Sequence, residues 1–119
     1  VVMLRLLDQN RDLFASWKVV RYEQEGDAYL LQITAVLADD SRLQLRDYVF
    51  ADGSRKYAYH WMEDDGTLRR RWDNAPHWPD VPTTPHHMHL PDKEEPEAST
   101  VTNIEDLIDY LRRWRELNE

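Results

Sequence analysis

Apolar and polar residues alternate through the middle of the chain, whereas at both ends the apolar residues recur at three- and four-residue spacing. In the run Lys56 to Met62, the side chains of Tyr57, Tyr59 and Trp61 fall on one side of an extended backbone; those of Lys56, Ala58, His60 and Met62 fall on the other. Tyr29, Leu31, Ile33, Ala35 and Leu37 make a similar apolar face. The turn signals Glu25-Gly26-Asp27, Asp39-Asp40-Ser41, Asp52-Gly53 and Asp65-Gly66 recur roughly every thirteen residues, as short hairpins require. The pattern predicts strands over 17–25, 28–38, 42–51, 55–63 and 67–73, joined as an antiparallel meander of about five strands. Met3, Leu6, Leu7, Asn10, Leu13, Phe14 and Trp17 predict a short N-terminal helix. Ile104, Leu107, Ile108, Leu111 and Trp114 predict a C-terminal one, with Thr102 and Glu105 at capping-box spacing. Arg112, Arg113 and Arg115 fall in its last turns, where cations suit the helix dipole.

Between sheet and last helix the pattern breaks. All six prolines lie between 76 and 96. Proline cannot donate to a strand ladder, so residues 74–100 are expected to form a long, largely irregular loop. Its first part is rich in His and Pro, and Asp92-Lys93-Glu94-Glu95-Pro96-Glu97 reads as a solvated acidic connector. The expectation is an α+β fold in a single domain, 1–119, with a helix at each end of the sheet.

Composition narrows the function. The 119 residues suit one hydrophobic core. A net charge of −8 counts against a general nucleic-acid binder, so any RNA contact must use a local patch. Cysteine is absent, which removes disulfides, thiolate metal sites and a Cys nucleophile. No apolar run approaches the roughly 20 residues that span a bilayer, and VVMLRLLDQN lacks the features of a secretory signal, so a cytoplasmic location is expected. Gly-rich phosphate loops, G-x-S-x-G and H-E-x-x-H are not found.

The candidate chemistry is concentrated. All five histidines (His60, His77, His86, His87 and His89) lie in one window of the chain. Histidine exchanges protons near neutral pH. Arg71 offers paired donors to a phosphate, and Asp73 is suited to orient an imidazole. Tyr59 and Trp61 suit either base stacking or core packing. Asn74 suits loop anchoring beside a substrate. Three chemistries are compatible with this set. The first is metal-independent RNA cleavage, with His60, His77 or His87 as base, a second His as acid and Arg71 as charge stabiliser. The second is a zinc site from His77, His87 and His89, or with Asp73. The third is a non-catalytic binding surface. The run Arg69-Arg70-Arg71 is split by strand alternation, with Arg70 facing away from the other two. Asp73-Asn74-Ala75-Pro76 also has the makings of an Asx turn.

Lys56-Tyr57-Ala58-Tyr59-His60-Trp61, Arg71-Trp72-Asp73-Asn74-Ala75-Pro76-His77-Trp78 and Pro85-His86-His87-Met88-His89 together resemble the TumE family, toxins of TumA/TumE-type toxin–antitoxin pairs. The resemblance spans most of the chain and is most specific over about residues 56–89. Trp78 stands where the family commonly has a second His, and Met88 where Lys is common. The resemblance implies a toxin acting on RNA, with a partner antitoxin bearing a helix-turn-helix DNA-binding domain. It carries over Tyr59, His60, Arg71, Asp73, Asn74, His77, His86, His87 and His89 as functional positions.

Overall fold

The structure, a computed structural model, describes residues 2–118. Helix α1 (Val2–Gln9) is followed by strands β1 (Phe14–Glu25), β2 (Ala28–Leu37), β3 (Arg42–Val49), β4 (Arg55–Met62), β5 (Leu68–Asp73), β6 (His87–His89) and β7 (Glu97–Ala98), then helix α2 (Ile104–Leu117). The strands form one antiparallel sheet in sequence order. The fold is therefore α+β, with seven strands among the described residues where about five were expected.

Alternation decides which face is covered. Leu31, Ile33, Ala35 and Leu37 of β2, Leu43 and Leu45 of β3, and Tyr57, Tyr59 and Trp61 of β4 point to one side. There they join Met3 and Leu7 of α1 and Ile104, Leu107, Ile108 and Leu111 of α2 in a single core. Both helices thus pack on the same face. The opposite face, carrying Thr34, Gln44, Arg46, Ala58 and His60, is left open. The turns use the residues that signalled them: Asp40 and Gly66 both adopt positive φ, at 70° and 92°. Asp65 adds an Asx bond, accepting from the backbone N–H of Thr67 at 2.9 Å.

Four local expectations are corrected. Phe14 and Trp17 belong to β1 and not to the N-terminal helix, because the chain turns at Asn10, whose carbonyl accepts from Leu13 and Phe14. The C-terminal helix is capped by Asn103, whose side chain accepts from Asp106 N at 2.8 Å. Thr102 lies one residue too early and instead donates to Asp106 from N and Oγ1. A register shift between Trp61 and Met62 turns Arg69 as well as Arg70 to the helix side. Arg69 lies over the Trp61 ring and Arg70 over Trp114, which leaves Arg71 alone on the open face.

The last correction places the candidate site. The segment 74–100 is not wholly irregular: His87–His89 and Glu97–Ala98 extend the sheet. Pro85 and Pro91 both lie outside β6, so neither ring interrupts its three-residue ladder. Met88 turns inward opposite Trp72 and packs on the core. His87 and His89 therefore face outward.

Candidate functional site

The strand registers assemble two rows on the open face. His60 of β4 stands opposite Arg71 of β5, which stands opposite His89 of β6. In the next row Ala58 faces Asp73, and Asp73 faces His87. Six residues separated by up to 31 positions in the chain become lateral neighbours, because residues on one sheet face share the pleat.

Asp73 ties the rows together. Its Oδ1 lies 2.9 Å from His87 Nε2 and accepts the backbone N–H of Ala75 at 3.0 Å. Its Oδ2 accepts Arg71 Nε at 3.2 Å and lies 3.6 Å from His89 Nε2. The Asx turn and the site role therefore coexist in one carboxylate. His87 is 1% exposed, and its Nδ1 lies 3.0 Å from the Pro85 carbonyl oxygen. Each of its ring nitrogens thus has an oxygen within hydrogen-bond distance. Buried among fixed partners, His87 acts as a brace for Asp73.

His60 and His89 are more accessible. Arg71 Nη1 lies 3.3 Å from His60 Nδ1; since guanidinium only donates, that nitrogen accepts and the neutral ring carries its proton on Nε2. Burial, reinforced by the Arg71 charge, holds the His60 pKa below the usual imidazole value. His89 is also held low, first by burial and then by His87 and Arg71, with the Asp73 carboxylate opposing them. Both rings are therefore mainly neutral at pH 7. Trp78 meets His89 edge to face, with centroids 6.4 Å apart, so the tryptophan helps wall the site.

The remaining candidates lie elsewhere. His77 is exposed after β5, and no hydrogen bond, ion pair or ring contact joins its side chain to the cluster among the described residues. His86 turns the other way: its Nδ1 is 2.7 Å from Tyr57 Oη and its ring stacks on Tyr57 at 5.8 Å. Asn74 accepts Tyr57 N at 3.0 Å and donates to the Arg55 carbonyl at 2.8 Å, locking the end of β4. Tyr59 is fully buried, and its hydroxyl is held by Arg55 at 2.6 Å. Trp61 is 1% exposed and donates to Ser41 Oγ at 2.9 Å. A base-stacking role for Tyr59 and Trp61 is thus corrected to core packing, since no substrate reaches a ring on the helix-covered face.

For a metal, potential ligand atoms of Asp73, His87 and His89 lie within 4.8 Å of one another. The zinc set built on His77 gives way to one built on Asp73. Sequence reasoning also missed Arg42, Gln44 and Arg46, the outward side chains of β3 next to His60. The alternation Arg42-Leu43-Gln44-Leu45-Arg46 is their signal.

The open antiparallel sheet thus bears two imidazoles, a guanidinium and a buried carboxylate on one face. A family model described as Toxin TumE matches residues 3–117, nearly the whole chain. The chain belongs to the TumE toxin family, which makes it a toxin component of a toxin–antitoxin system with an antitoxin as partner. No curated protein and no solved structure matches it. No helix among the described residues is long and apolar enough to cross a membrane.

Proposed function

We propose that this toxin is a metal-independent endoribonuclease in which His60 and His89 transfer protons on either side of Arg71. The observation that carries this reading is the row His60–Arg71–His89 on three adjacent strands of the open face. Strands lie about 4.8 Å apart, so the two histidines bracket roughly 10 Å centred on the guanidinium, room for one phosphodiester.

His60 takes the proton of a ribose 2′-hydroxyl on Nδ1, the nitrogen that Arg71 releases as it turns to the phosphate, and the 2′-oxygen attacks the adjacent phosphorus. The bond from phosphorus to the 5′-oxygen of the next nucleotide breaks, and this oxygen receives a proton from His89. The products are a 2′,3′-cyclic phosphate and a 5′-hydroxyl. Arg71 stabilises the charge growing on the phosphoryl oxygens. The base role suits His60 because no carboxylate favours its charged form. The acid role suits His89 because Asp73, 3.6 Å away, does. His87 and Asp73 do not touch substrate; they position Arg71 and His89. Each proton transfer contributes about 10²–10⁴-fold. In this reading the substrate is cytoplasmic RNA, and the antitoxin brings a helix-turn-helix DNA-binding domain.

The test is incubation of antitoxin-free protein with RNA in EDTA. Fragments ending in 2′,3′-cyclic phosphate are expected; no cleavage, with or without added metal, overturns the reading.

One observation favours a second reading. His87 Nδ1 faces a backbone carbonyl, the orientation that metal-bound histidines take, and Asp73 and His89 complete a three-ligand set. Zinc held there would supply a Lewis acid. Against it, Arg71 already places a cation on Asp73. Cleavage that stops in EDTA and returns with zinc selects this reading over the first.

A further inference from the structure

We infer that the open sheet face beside His60 is a track for the backbone of single-stranded RNA, with Arg42, Arg46 and Lys56 contacting phosphates. The inference rests on the RNA-cleaving reading and names how its substrate is held.

The chain is acidic overall, yet its cations are unevenly engaged. On the helix side Arg55 pairs with Asp47, Arg69 with Asp39 and Glu63, and Arg112 with Asp12. On the open face Arg42, Arg46 and Lys56 are exposed and have no ion-pair partner among the described residues. Register fixes their positions: Arg42 stands opposite Met62, Arg46 opposite Ala58 and Lys56 opposite Tyr48. Arg42 and Arg46 therefore flank Gln44, the direct cross-strand neighbour of His60.

The carboxylates nearest this track are committed, and Glu25 lies at the far end of β1, opposite Ala28. Glu23 is held by Arg21 at 2.9 Å, and Asp73 by His87 and Arg71. Asp64 and Asp65 line the far end of the groove that contains Arg42, which directs a polyanion from Arg42 toward Arg46 and Lys56 and away from the β4–β5 turn.

The outward side chains beside His60, Gln44, Ala58 and Met62, are not aromatic, and Tyr48, opposite Lys56 at the end of the track, has its hydroxyl held by Gln32 at 2.7 Å. Recognition therefore falls on phosphate charge, with little sequence preference. An RNA strand is favoured over an acidic protein because Arg42 and Arg46 flank Gln44, the position where the His60–Arg71–His89 row continues onto β3. A chain with a phosphate at Arg71 places further phosphates at Arg46 and Arg42.

The test uses the full chain, free of antitoxin, and a single-stranded 2′-O-methyl oligoribonucleotide, which lacks the attacking hydroxyl and so reports binding alone. Affinity should fall as salt rises. Arg42→Gln with Arg46→Gln should weaken binding by about tenfold and reduce the log–log salt slope by about 1.4, at about 0.7 per phosphate contact. The loss should be equal for unrelated sequences. Arg5→Gln with Arg113→Gln, exposed cations of the two helices, should change neither value. Unchanged affinity or slope in the Arg42/Arg46 variant overturns the track, as does failure of the wild type to bind. Normal RNA binding with lost antitoxin binding assigns the face to the protein partner instead. Charge-dependent binding without cleavage of ordinary RNA upholds the track and rejects the catalytic reading.

Discussion

Asp73→Asn is the most informative single change. The carboxylate is 7% exposed and accepts three hydrogen bonds, from His87, Ala75 and Arg71. Asparagine keeps the shape but only one oxygen and no charge, and the Oδ1 position serves Ala75 N and His87 Nε2 together. Its amide nitrogen must then face either His87 Nε2 or Arg71 Nε, both donors where they now meet the carboxylate. The buried charge-assisted contact with His87 is worth about 1.5–3 kcal/mol. The contact with Arg71, whose side chain is 38% exposed, adds at most about 1 kcal/mol. The expected loss is about 2–4 kcal/mol. At about 4 °C per kcal/mol for a chain of this size, that is a fall of roughly 8–16 °C in Tm. The assay is thermal unfolding of the wild type, Asp73→Asn, His87→Gln and the double variant. A coupling of about 1.5–3 kcal/mol is expected between the two positions. A single-variant loss below about 0.5 kcal/mol, or strictly additive losses, would refute the argument that Asp73 and His87 form the brace under Arg71.

Three further outcomes follow from burial and charge. Leu111 is 2% exposed in the α2 face of the core, so Leu111→Ala should cost about 2–5 kcal/mol by denaturant unfolding, and a loss near zero would contradict the packing of α2. The cleavage step needs His60 neutral and His89 protonated, and both pKa values are depressed, so kcat/KM should peak below about pH 6.5 and fall through neutrality; a maximum above about pH 7.5 would contradict the assignment. The same depressions mean that the unfolded chain takes up protons first, so Tm should drop as pH falls below about 6.5, less steeply in His60→Ala, and a rise on acidification would contradict it.

The central strands were legible because both faces of the sheet carry period-two patterns bounded by Asp and Gly. Residues 28–37, 42–49 and 55–62 were read within two residues of their ends for that reason. β6 was not legible, because its proline neighbours dominated the local signal while its pairing with β5 is a tertiary fact. That pairing decides the site. The clustering of histidines indicated a functional segment, but not which of them face it. His86 and His87 are adjacent in sequence and point to opposite sides of the sheet, one to Tyr57 and one to Asp73. The buried aromatics could be read either way until the helices were placed over them. The bulge at Trp61/Met62 likewise separated Arg71 from Arg69 and Arg70 for a reason that alternation alone does not contain.

The account is tested most directly by alanine substitution at each histidine, reading toxicity on expression and RNA cleavage by the folded protein. His60→Ala and His89→Ala should each abolish both activities with the fold intact. His87→Ala should lose activity together with stability, and His77→Ala should leave activity unchanged. His86→Ala should cost stability through its contact with Tyr57 while the remaining folded protein still cleaves. Full activity in His60→Ala or His89→Ala, or its loss in His77→Ala, would contradict the assignment of proton transfer to the row centred on Arg71.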